Sequence, residues 1–155
     1  MKLTVIIGKA CAGKSTFAQW LIKQTGEKAG RTSSIIYEAM AKARGCTVKD
    51  LEDLPKEELR PKLIALGDFM CDIQPDILSQ ALVQRGITVI DGVRRKSELE
   101  ALREKHEIFV YYIRRDKFTV SDNFELDERD AHYIVDNNGE MNEFKILTTA
   151  ERVLR

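Results

Sequence analysis

Apolar positions along this chain alternate between short unbroken runs and longer stretches spaced by three and four. Residues 3–7 form one continuous β-branched run that stops at Gly8, the pattern of a strand covered on both faces. After a glycine-rich segment, Phe17, Trp20, Leu21 and Gln24 recur at helical spacing with Ala18 and Ile22 beside them, and Gly26 supplies a stop. A helix over 14–25 is expected, with Trp20 in the core.

Residues 33–37 read as a second short strand. The stretch from there to Arg85 is helical in pattern but broken at Pro55, Pro61 and Pro75. Because proline is tolerated in a first helical turn, Pro61 and Pro75 are expected to open helices over 61–71 and 75–85, the latter closed by Gly86. Residues 87–90 give a third strand ending at Asp91, and Ser97 with Glu100 forms an S-x-x-E capping box for a helix running to about Lys105. Residues 108–113 and 133–135 supply strands four and five, separated by a polar segment. A last helix is expected to carry Met141, Phe144, Leu147 and Val153. Strands alternating with helices imply an α/β fold whose parallel sheet binds ligands at the carboxyl ends of its strands.

At 155 residues the chain suits one domain. With 43% apolar and 32% charged residues it belongs with ordinary globular proteins, away from disordered and membrane classes. Its 25 basic and 25 acidic residues cancel, so neither a nucleic acid polymer nor a membrane is an expected partner. Cys11, Cys46 and Cys71 are odd in number and outside any CxxC pair, which suggests neither a disulfide framework nor a zinc site and fits a reducing cytoplasm. His106 and His132 show no metal spacing, and the charged run 49–60 reads as a solvated helix face.

The sharpest chemical signal is Gly8-Lys9-Ala10-Cys11-Ala12-Gly13-Lys14-Ser15, which satisfies G-x-x-x-x-G-K-[ST] at every fixed position. Glycines let the chain fold tightly around a phosphate with successive N–H groups pointing inward, and the following helix adds its positive end. Lys14 is expected on the β- and γ-phosphates of ATP. Ser15, with Thr16 beside it, stands where a hydroxyl meets Mg²⁺. Cys11 is read as a small filler, since no histidine lies nearby in sequence to activate it.

Four further segments resemble P-loop kinases. Residues 87–102, ITVIDGVRRKSELEAL, resemble the DGFPR segment of adenylate kinases and the corresponding segment of phage-type deoxynucleoside monophosphate kinases. This resemblance implies an arginine on a nucleotide phosphate. The two families choose different members of the pair Arg94 and Arg95, and Arg94 is taken. Asp91 is implied to hold Mg²⁺ through water or to orient the acceptor; as a plain turn or helix cap it would do neither.

Residues 131–144, AHYIVDNNGEMNEF, look like the V-I-D-N-N-G stretch of dephospho-coenzyme A kinases, which implies that Asp136, Asn137, Asn138 and Gly139 lie beside the donor adenine. Asn-Asn-Gly also serves as an ordinary turn. Arg114 and Arg115, with Arg129 further on, resemble the lid arginines of adenylate-kinase-like enzymes, so 114–130 is expected to form a lid-like segment. Residues 58–70, ELRPKLIALGDFM, resemble the acceptor-binding region of phage-type deoxynucleotide kinases, which implies Arg60 on the acceptor phosphate and Asp68 near the acceptor.

Taken together, the resemblance implies a three-layer P-loop NTPase fold: five parallel strands in the order 2-3-1-4-5, with a helical acceptor-binding insertion at 38–86. The implied activity is transfer of the γ-phosphoryl group from ATP·Mg²⁺ to a nucleoside or deoxynucleoside monophosphate, with Lys14, Arg94 and Arg114 catalytic. Homodimerisation is left open. A dephospho-coenzyme A kinase-like enzyme and a non-kinase NTP-binding switch are the alternatives. Asp136 to Gly139 formally matches the D-x-x-G of GTPases, but it comes late in the chain and no N-K-x-D follows.

Overall fold

Leu3, Val5 and Ile7 face one way from the first strand and Ile6 the other, and all four are buried, so this strand must be covered on both sides. The computed structural model of the chain describes residues 1–116, 124–139 and 144–147. Its elements run β1 (Lys2–Ile7), α1 (Lys14–Thr25), β2 (Ala29–Arg31), α2 (Thr32–Arg44), α3 (Val48–Glu52), α4 (Lys56–Ile73), α5 (Ile77–Gln84), β3 (Val89–Asp91), α6 (Lys96–Lys105), β4 (Glu107–Arg114), a 3-10 turn (Glu128–Asp130), β5 (Tyr133–Asp136) and β6 (Lys145–Leu147).

The six strands form one mixed sheet in the order β2-β3-β1-β4-β5-β6, with β1 to β5 parallel and β6 antiparallel to β5. On one face, Leu3, Val5, Ile7, Ile90 and Val110 pack with residues of α2, α5 and α6. On the other, Ile6, Val89, Ile113 and Val135 receive Phe17 and Ala18 of α1. Helices α2, α3 and α4 close over a separate small cluster that includes Met40, Leu51 and Leu59. A buried carboxylate at the start of α5 is tied to α6: both Asp76 oxygens accept from the half-exposed Lys105 Nζ, at 2.9 and 2.8 Å.

Because the five parallel strands run the same way, their carboxyl ends meet at one edge. Register sets Arg31 beside Asp91 and Arg114 beside Asp136, with Gly8 following β1. Charged side chains therefore gather at the edge where the backbone leaves the sheet.

Several elements differ from the sequence reading. Residues 33–37 lie in α2, and strand two is Ala29–Arg31. That strand lacks a β-branched signature because its middle residue must be small: a Cβ on Gly30 would stand 2.9 Å from a Leu82 methyl and 3.1 Å from Ile87. Pro61 does not open a helix but sits inside α4, whose upstream end is anchored by buried Leu59. Helix α6 starts at Lys96 with no side-chain cap, so Ser97 is already helical and the expected capping box does not form. In place of a helix through Phe144 and Leu147 the chain makes β6, while Met141 and Val153 lie outside the described residues. Phe144 packs edge-on to Phe17 with ring centroids 5.2 Å apart. Trp20 stacks on Phe17 but stays 38% exposed, at the rim of the core instead of within it.

Candidate functional site

The segment between β1 and α1 turns on two backbone requirements. Gly13, at φ 97°, caps α1 and passes its carbonyl to the Phe17 N–H at 2.9 Å. Cys11 also takes a positive φ, 61°, and is exposed, so the loop bends twice within three residues. The Lys9 carbonyl accepts from the Ala12 N–H at 3.2 Å and from Lys14 Nζ at 2.8 Å, which lays the ammonium across the loop. Helix α1 begins immediately behind it, with the N–H groups of its first turn and its positive end directed at the same place.

Asn137 fixes this loop from outside. Its side chain is buried, and Nδ2 donates to the Ala12 carbonyl at 2.8 Å. Asn138 is engaged as well: Nδ2 donates to Asp116 at 2.9 Å, and Oδ1 accepts from the Asp116 N–H at 2.7 Å. Of the two side chains expected along a base edge, Asn137 holds the backbone of the glycine-rich loop and Asn138 holds Asp116 in the segment after β4.

Ser15 and Asp91 come together as the sequence suggested. Ser15 Oγ donates to Asp91 Oδ2 at 2.9 Å, and Asp91 Oδ1 is buried with no hydrogen-bond partner. A hydroxyl and a carboxylate with an unspent oxygen fit Mg²⁺, which takes one or two protein oxygens and completes its shell from phosphate and water. Among the described residues, no three His, Cys, Asp or Glu side chains cluster to hold a metal without such help. Arg31 completes the group. Its guanidinium donates to Ser15 Oγ, and Nε lies 3.5 Å from Asp91 Oδ2.

On the α2/α4 side opens a cavity of ≈ 500 Å³ whose charged lining includes Arg31, Arg60, Arg94, Arg95, Asp68 and Glu98. Arg60 and Arg94 are exposed to it, whereas Arg95 is tied to Asp68 and lies 3.8 Å from Asp72. Of the two neighbouring arginines, Arg95 is thus committed to carboxylates of α4. On the opposite side, a cleft of ≈ 370 Å³ is lined by Lys9, Ala12, Arg114, Arg115, Asp116 and Glu128, among others. Arg114 is held rather than extended: it reaches Glu128 at 3.5 Å and Asp136 at 3.3 Å, and its Nε is buried without a partner. Burial opposes the charge on Asp136, but the Asn138 N–H and Arg114 outweigh it and keep the carboxyl below its usual range. Arg129 pairs with Asp127 at 2.6 Å within the 3-10 turn. His132 accepts the Val110 N–H at 2.9 Å, a structural role.

Two residues of this site went unread in the sequence. Arg31 was hidden because strand two was placed after it. Glu98 was hidden because the sequence places the helix cap at Ser97, two residues later than the observed cap at Arg95. Glu98 is buried in the cavity wall and accepts from the Ser79 hydroxyl at 2.7 Å. Burial pushes its carboxyl up to about 7, an effect that Ser79 and the Arg94 backbone only partly offset.

The folded chain therefore keeps a proton on Glu98 that the unfolded chain releases near pH 4.5, and stability falls as pH rises through that window. Relative to Glu98→Gln, the wild type is expected to lose on the order of 1–3 kcal/mol between about pH 4.5 and about pH 7 in urea unfolding, with no further loss above. Parallel pH profiles for the two proteins would remove Glu98 as the cause.

Neither the protein-family models nor the curated proteins compared with this chain give a match. Among the described residues, no helix is long and apolar enough to cross a membrane.

Proposed function

We propose that this chain is a P-loop phosphotransferase that moves the γ-phosphoryl group of ATP to a nucleoside monophosphate, with phage-type deoxynucleoside monophosphates as the favoured acceptors. One observation carries the reading. The glycine-rich loop and the arginine-lined cavity are contiguous, joined through Ser15, Asp91 and Arg31 at the carboxyl edge of the sheet. A donor triphosphate seated on the loop would point its terminal phosphate toward that cavity.

In this reading the N–H groups of residues 9–14 and the start of α1 cradle the donor phosphates, and Lys14 leaves the Lys9 carbonyl for the transferring group. Arg60 and Arg94 hold the acceptor phosphate. Arg114, at the end of β4, faces the donor side with Lys9 and Arg115. Ser15 and Asp91 would hold Mg²⁺, which when bound neutralises charge on the phosphate oxygens. Because phosphoryl transfer asks little covalent chemistry of a protein, positioning and electrostatics supply most of the rate.

Incubation with ATP·Mg²⁺ and a panel of ribo- and deoxynucleoside monophosphates, followed by ADP formation, tests the proposal. Slow turnover of ATP alone and strong stimulation by one or a few acceptors is the expected result. Stimulation by none of them overturns the acceptor class, and stimulation by dephospho-coenzyme A alone moves the chain to that group of kinases.

A further inference from the structure

The Ser15–Asp91 pair already has a cation on it. Arg31 ends β2 in register with Asp91, donates to Ser15 Oγ and brings Nε to 3.5 Å from Asp91 Oδ2. The Asp91 side chain is only 6% exposed. A carboxylate so enclosed is costly without a nearby positive charge, and Arg31 supplies one. It does so from a side chain that is itself 55% exposed. The same arginine also lines the ≈ 500 Å³ cavity.

We infer that Arg31 is the built-in counter-cation of Ser15 and Asp91, and that it gives up these two oxygens when a divalent ion binds with the donor nucleotide, turning toward the acceptor cavity it already lines. The inference rests on the phosphotransferase reading. A guanidinium and a divalent ion cannot both take the Ser15 hydroxyl, and two cations on one carboxylate repel even where the ion takes the unpartnered Oδ1, so the two compete, and competition appears as a coupling between Arg31 and the metal. Before the donor arrives, Arg31 keeps Asp91 neutralised and the edge of the sheet in place. Afterwards its positive charge stands on the acceptor side of the same edge, where a phosphate dianion would meet it.

The test is ADP binding by the full chain, measured by isothermal titration calorimetry over a series of Mg²⁺ concentrations and in EDTA. In Arg31→Met the Mg²⁺ concentration giving half the metal-dependent gain in affinity is expected to fall about fivefold, because the resident competitor is gone. Affinity for ADP in EDTA should not improve. Arg31→Gln, equally neutral, carries the same expectation should the methionine variant fail to fold. Arg31→Lys, which keeps a charge but not the two-armed contact, should fall between. An unchanged or raised Mg²⁺ midpoint in a folded neutral variant overturns the inference while leaving nucleotide binding intact. Wild-type binding of ADP that ignores Mg²⁺ overturns it equally, and absence of any ADP binding overturns the phosphotransferase reading with it.

Discussion

Lys14→Ala is expected to lower acceptor-stimulated ADP formation by about a hundred- to a thousandfold while the protein still folds, since removing one positioned donor from a charged transition state costs that much in other enzymes. The prediction separates two roles. Lys14 lies at the loop end of α1, half-buried, with its ammonium on the Lys9 carbonyl at 2.8 Å. The residues of α1 that enter the core are Phe17 and Ala18, one turn on. The truncated side chain therefore leaves the core untouched. The loop also retains its own turn, because the Lys9 carbonyl still accepts the Ala12 N–H. Steady-state ADP release and a thermal melt on the same preparation check both halves. A variant that melts far below the wild type would show Lys14 to be structural, and one that turns over normally would dismiss it from phosphoryl transfer.

What could be read from the sequence was what depends on neighbours in the chain. The eight residues from Gly8 to Ser15 must be contiguous to wrap one phosphate, so their spacing is visible without a fold, and β1 and α1 follow from the rhythms on either side. Ser15 with Asp91 was also legible, because each ends up at the carboxyl edge by the same rule of parallel strands. Contacts across the edge were not. Nothing local announces that Asn137 donates to Ala12, 125 residues earlier, or that Arg31 reaches Ser15. Strand two failed for a related reason: Gly30 is chosen by Leu82 and Ile87 packing over it, and the β-branched run after it was recruited to a helix by its place over the core. Phe144 shows the same override, since its partner is Phe17 on a distant helix and its spacing from Met141 and Leu147 carried no information about that.

The arrangement of arginines shows a similar division. Residue type marked Arg60, Arg94, Arg95 and Arg114 as candidates for phosphate, but their partners decide what each can do. Arg95 is bound to Asp68, and Arg114 is shared between Asp136 and Glu128. The cavity presents Arg60 and Arg94 as exposed cations, with Arg31 at its junction with the loop.

Gly13→Ala should be the most damaging single change in the loop, and a second substitution can divide its cost into two parts. At φ 97° an alanine is strained whatever surrounds it, by roughly 1–2 kcal/mol. Its methyl would also stand 2.5 Å from Asn137 Nδ2, displacing the amide from the Ala12 carbonyl and leaving buried polar groups unpaired at a further cost of about 1–3 kcal/mol. Asn137→Ala alone removes the second interaction without straining the backbone. In that background Gly13→Ala finds the space vacant and pays only for its φ. The two changes are therefore expected to be less than additive by about 1 kcal/mol or more in urea unfolding. Nucleotide binding adds an independent readout. Because Asn137 is buried with its amide spent on the Ala12 carbonyl, Asn137→Ala should weaken ADP and GDP by the same factor, whereas a base-edge residue would change their ratio. Strict additivity together with a shifted ADP to GDP ratio would return Asn137 to the base and leave the loop to hold its shape unaided.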